Sequence, residues 1–77
     1  MADRSYAPGD FNMSIVVNGE LYVVPSPTTI EGLLRLLRPE RPFAAALNGE
    51  FVPAVEYEGR VLTEGDHVDV VHPSAGG

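Results

Sequence analysis

The chain is predicted to be one small α+β domain, a mixed sheet of four to five strands packed on a single helix. Three observations predict it. Two Asn-Gly pairs sit between apolar runs, one segment carries leucines at helical spacing, and a stretch near the C-terminus alternates polar and apolar residues. Seventy-seven residues supply one core and leave no room for a deep cleft beside it.

Residues 1–12 contain Pro8, Gly9 and several charges but no periodicity, and are expected to form a flexible extension. The absence of an apolar run there excludes a signal peptide reading. Ile15-Val16-Val17, Asn18-Gly19 and Glu20 to Val24 then form the strongest kind of short hairpin signal, since both turn residues must reach positive φ. Pro25-Ser26-Pro27 is expected to end the second strand, because proline cannot donate to a ladder.

A helix follows. Thr28 and Glu31 have the spacing of a capping box, with the Thr28 hydroxyl accepting from the Glu31 amide. Ile30, Leu33, Leu34 and Leu37 fall on one face, and that stripe is read as core. Arg35 and Arg38 suit the negative end of the helix dipole, and Pro39 and Pro42 prevent extension. Gly32 costs such a helix about 1 kcal/mol relative to alanine, with close packing as its only evident reason.

Phe43 to Leu47 is a short apolar run suited to a buried strand, although its three alanines are poor strand formers. Asn48-Gly49 repeats the hairpin signal, and Glu50-Phe51-Val52 returns as far as Pro53. Ala54 to Gly59 is loop-like with room for one helical turn, and Thr63-Glu64-Gly65-Asp66 is a turn. His67 to Val71 alternates as a half-buried strand should. The domain is thus placed at 13–71, with 72–77 as a flexible tail. If the first and last strands pair in the middle of the sheet they run parallel, with the helix across them. That is the β-grasp arrangement.

Composition narrows the function. Eleven acidic residues oppose five arginines, there is no lysine, and the net charge is −6. That charge repels nucleic acid and anionic membranes and has a basic protein surface as its natural complement, with solubility alone as the other explanation. No stretch approaches the ~20 apolar residues that span a bilayer. Cysteine is absent, which removes disulfides, thiolate metal sites and cysteine nucleophiles together; a reducing cytoplasm is the expected location.

No phosphate-binding loop, dinucleotide fingerprint or Cys/His cluster is present. His67 and His72 are five apart, so on an alternating strand they face opposite ways, and no metal site or catalytic residue is assigned. Asp66 and Asp69 are read as turn and solvent-face residues. What remains is the terminus, Ser74-Ala75-Gly76-Gly77, leaving directly from the last strand. A peptide without side chains can enter a narrow channel in another enzyme. There its carboxylate can be adenylated and then converted by a persulfide into a thiocarboxylate. A frayed tail of small residues is the alternative.

From Met13 to Gly77 the chain resembles the ThiS/MoaD family of sulfur carriers. The resemblance lies in Ile15 to Glu20, Thr29-Ile30-Glu31-Gly32-Leu33-Leu34, Ala45 to Pro53, Leu62 to Asp66, Val68 to Val71 and the terminal Gly76-Gly77. It implies a ubiquitin-like β-grasp fold and a carrier that is not itself an enzyme. An adenylating enzyme related to those that activate ubiquitin would use ATP and Mg²⁺ on Gly77, with Gly76 as its permissive neighbour. A cysteine desulfurase or related donor would supply sulfur, and no cofactor would be bound by the carrier itself. Phe51 and Val71 on the open sheet face, with Pro73 in the tail, are the expected docking residues. The short core resembles ThiS more than MoaD, so the expected acceptor is a thiazole synthase of thiamine formation. Pro73 also resembles the tails of molybdopterin and cysteine-biosynthesis carriers, and tRNA thiolation is a further sulfur acceptor. Outside sulfur transfer, a ubiquitin-like modifier and a β-grasp interaction module remain open.

Overall fold

A computed structural model describes residues 11–73. Residues 1–10 of the extension expected over 1–12, and the tail residues Ser74 to Gly77 with both terminal glycines, lie outside them. The order of elements is β1 (Phe11–Val17), β2 (Glu20–Ser26), α1 (Ile30–Leu37), β3 (Ala44–Leu47), β4 (Glu50–Val52), a 3₁₀ turn (Ala54–Glu56) and β5 (His67–Val71). The sheet runs β2-β1-β5-β3-β4. Strands β1 and β5 are parallel at its centre and every other pairing is antiparallel. This is the β-grasp arrangement.

Both Asn-Gly pairs form their hairpins. Asn18 and Gly19 have φ of 49° and 84°, and Asn48 and Gly49 have 51° and 89°. These left-handed values match the strand twist across a two-residue turn. One layer of side chains fills the space between sheet and helix: Met13, Ile15, Val17, Val24, Ile30, Leu33, Leu34, Val52, Leu62, Val68 and Val70. Leu37, Phe43, Leu47 and Tyr57 close its edges.

Three local expectations need correction. Strand β1 begins at Phe11 rather than inside the domain boundary at Met13, because β2 is longer than expected and pairs Ser26 with Phe11 and Pro25 with Asn12. Pro25 does not stop β2 because β2 is an edge strand, and a missing N–H on the free edge breaks no ladder bond. The helix cap is Thr29, not Thr28: its hydroxyl accepts from the Gly32 amide at 3.0 Å. The capping box does not form because the Glu31 and Ile30 amides are already donated to the carbonyls of Tyr57 and Arg60. Thr28 instead donates its hydroxyl to the Pro25 carbonyl.

With the cap moved, Gly32 sits in the first turn, and a Cβ built there would meet Thr28 Cγ2 at 3.5 Å and Thr29 Oγ1 at 3.6 Å. Both are ordinary contacts, so close packing does not require the glycine. Gly32→Ala is expected to stabilise the domain by about 0.5–1 kcal/mol, raising the melting temperature by a few degrees in a thermal unfolding scan.

Candidate functional site: the open sheet face and the strand that carries the tail

The tail continues from β5, so its starting position is set by whatever holds that strand. Residues Val16 and Val17 of β1 pair with His67 and Val68 before β1 turns away into its hairpin. Asn18 then takes over the ladder. Its amide donates to the Val68 carbonyl at 3.0 Å, and its side-chain oxygen accepts from the Val70 amide at 2.8 Å. On the other flank Asn48 acts in a similar way, donating its amide to the His67 carbonyl at 2.7 Å and accepting the His67 amide at 2.8 Å. Each asparagine thus fills a left-handed turn position and also fixes β5. The turn chemistry of both was legible in the sequence; the bonds to β5 depend on the strand register.

The start of β5 is tied down by Asp66. Its carboxylate accepts from the Thr63 amide at 2.8 Å and from the Asn48 side-chain amide at 3.1 Å. Burial pushes the Asp66 carboxyl upward, but the hydrogen bonds from Thr63 and Asn48 and the proximity of His67 outweigh it, and the net shift is downward. A depressed folded pKa means that this group's contribution to stability is present above its unfolded value, about 3.9, and is lost as pH falls through the folded one. Asp66→Asn is therefore expected to flatten the loss of stability below about pH 4, measured as chemical denaturation midpoints against pH.

Strand alternation divides β5 cleanly. Val68 and Val70 point into the core, while His67, Asp69 and Val71 face the side away from the helix. The register places Phe51 opposite Ala46 and Val71 opposite Ala44. Both large side chains therefore flank β3 diagonally, two strand spacings across and two residues along or roughly 12 Å apart, and the residue directly across Ala46 from Phe51 is Asp69. This gives Ala44 and Ala46 of β3 a physical role, since they make a low floor while Ala45 faces the core. Phe51 is 66% exposed and Val71 56%, and Leu21 and Val23 of β2 extend the apolar surface on the far side. Pro73 is exposed just beyond β5. Phe51 and Val71 thus share one open face near the exit of the tail, whereas Gly76 and Gly77 are outside the described residues.

Among the described residues no group of three or more His, Cys, Asp or Glu side chains is placed to hold a metal, and no helix is long and apolar enough to cross a membrane.

The ThiS family model matches residues 12–77, beginning within β1 and running to the last glycine. The chain belongs to the ThiS family. The crystal structure of the thiamine biosynthesis protein ThiS from Geobacter metallireducens is similar at a TM-score of 0.74 and 25% identity, covering 84% of this chain and 100% of that one. The solution structure of a thiamine biosynthesis protein from the same organism gives 0.70 and 25%, covering 84% of this chain and 88% of that one. No curated protein matches the chain. The five-stranded mixed sheet and single helix are those of a ubiquitin-like β-grasp ThiS structure.

Proposed function

We propose that this ThiS-family chain is a sulfur carrier, acted on by partner enzymes in the cytoplasm, and that its reactive group is the Gly77 carboxylate. The reading is carried by the family match, which runs through β5 and the tail to residue 77. The relatives are thiamine biosynthesis proteins, and the acceptor proposed here is accordingly a thiazole synthase.

The chemistry needs little from the carrier beyond presentation. In a partner adenylating enzyme, with ATP and Mg²⁺, the Gly77 carboxylate attacks the α-phosphorus and pyrophosphate leaves. The resulting acyl adenylate is open to a persulfide, delivered by a cysteine desulfurase or a related donor. Its terminal sulfur attacks the carbonyl and AMP departs. A thiol then cleaves the acyl disulfide, leaving the thiocarboxylate on Gly77. Gly76 keeps the approach narrow, and a chain without cysteine or lysine offers no competing thiol or amine side chain for its own activated end.

Phe51 and Val71 on the open face, with Pro73 beyond β5, are proposed to seat the carrier on its partners, so that the tail enters the channel from a fixed point. A surface with large apolar groups over an alanine floor suits such docking. The test is ATP–pyrophosphate exchange by the adenylating enzyme in the presence of the chain. Exchange that depends on the carrier supports the reading; none across adenylating enzymes of this class contradicts it.

A further inference from the structure

Four arginines lie in the described part of this acidic chain, and they divide into two kinds. Arg35 is paired with Glu31 and Arg60 with Glu56, each at 3.2 Å and one helical turn apart. Arg38 and Arg41 are exposed and, among the described residues, meet no carboxylate within salt-bridge distance. Glu40 stands between them in sequence, yet it pairs with neither. Two guanidiniums unpaired among the described residues therefore occupy one short loop on a molecule of net charge −6.

That loop leads into the strand that pairs with the end of β5. Arg41 is three residues before Ala44, and Ala44 is the register partner of Val71, the last residue of β5. At most about 11 Å of backbone separates Arg41 from the strand pair at which the tail departs. Arg38 holds a left-handed backbone, φ 51°, at the helix C-cap, a place where glycine or asparagine carries less strain. The helix dipole accounts for one basic residue there but not for Arg41, which lies beyond the helix. Arg41 also borders an open groove of about 440 Å³ lined by Pro42, Phe43, Ala54, Tyr57 and Glu31, whose carboxylate is already paired with Arg35. Charge at the rim and apolar surface beneath it form a seat for a carboxylate-bearing segment.

We propose that Arg38 and Arg41 form a cationic corner that receives an acidic segment of the enzyme that activates the tail. This inference rests on the carrier reading above and adds a contact beside the open sheet face. Its role is to dock and orient the carrier, not to take part in the chemistry at Gly77. The charge complementarity is local: the rest of the carrier repels an acidic partner surface, so these two side chains fix which edge approaches it.

The experiment is steady-state activation of the chain by an adenylating enzyme, with ATP and Mg²⁺, varying the carrier concentration. The carriers are wild type, Arg38→Glu/Arg41→Glu, Arg38→Gln/Arg41→Gln and Arg60→Glu. Arg60 is the control because it is already paired with Glu56 and does not line the groove. The expected result is a KM for the double Glu variant raised roughly tenfold with kcat within twofold, the double Gln variant intermediate, and Arg60→Glu unchanged. Thermal melts check that every variant is folded. A wild type that is activated while the double Glu variant keeps its KM overturns the corner and leaves the carrier reading standing. A wild type that no such enzyme activates removes both.

Discussion

Removal of Gly77 alone is expected to lower tail activation by more than about 10²-fold while leaving the melting temperature unchanged. The magnitude follows from geometry. Deleting one residue withdraws the terminal carboxylate by about 3.5 Å in an extended tail. A displacement of even 1 Å from the attacking position costs on the order of 10²-fold in rate. The fold does not register the loss, because the core extends only from Met13 to Val70 and β5 ends at Val71. A pyrophosphate exchange assay and a thermal melt on the same preparation separate the two effects. If the shortened chain were activated as well as the full one, the carboxylate of Gly77 would not be the reacting group.

The largest expected stability effect comes from Leu33→Ala. Leu33 is fully buried in α1, facing a core with no second layer behind it. Such a truncation removes transfer free energy and leaves a cavity, together about 2–5 kcal/mol. Small domains have only about 5–15 kcal/mol in total, so the variant is expected to melt at least ~10 °C lower. Leu36→Ala is the matched control on the same helix: Leu36 is 64% exposed, and its loss is expected to change stability by less than about 0.5 kcal/mol. Chemical denaturation of both variants decides the point. A Leu33→Ala protein as stable as Leu36→Ala would contradict the packing described for α1.

The two variants also show which parts of the molecule the sequence made legible. The helix face was readable because the spacing of Ile30, Leu33 and Leu34 is a property of the helix itself, independent of what it packs on. The two Asn-Gly turns were readable for the same reason, since positive φ is a local demand. The helix cap was not. Thr28 and Glu31 satisfy the capping pattern locally, but the Glu31 amide is claimed by Tyr57, more than twenty residues away, and the cap shifts to Thr29. Pro25 misled for a related reason: whether a proline ends a strand depends on whether that strand is an edge, which is a property of the whole sheet.

The same division runs through the site. Val71 faces outward by simple alternation, which period-two reading captures. That Phe51 lies diagonally across Ala44 and Ala46 from it requires the β3 register, and no local signal contains that. The side chains of Asn18 and Asn48 act twice, once in the turn and once on β5, and only the first role has a sequence signature. Arg38 was readable as a helix-end charge and Arg41 was not; that neither meets a carboxylate among the described residues is visible only once Arg35 and Arg60 are seen to be paired.

The central claim is that Gly77 carries sulfur as a thiocarboxylate. It is tested most directly by intact mass spectrometry of the chain made in a host that supplies the sulfur-transfer enzymes, alongside the chain lacking Gly77. The account predicts a mass gain equal to replacing one oxygen by sulfur, present in the full chain and absent from the shortened one. The contradicting result is no gain in the full chain when ATP, a sulfur donor and a matched adenylating enzyme are all present; the sheet face would then belong to an interaction module.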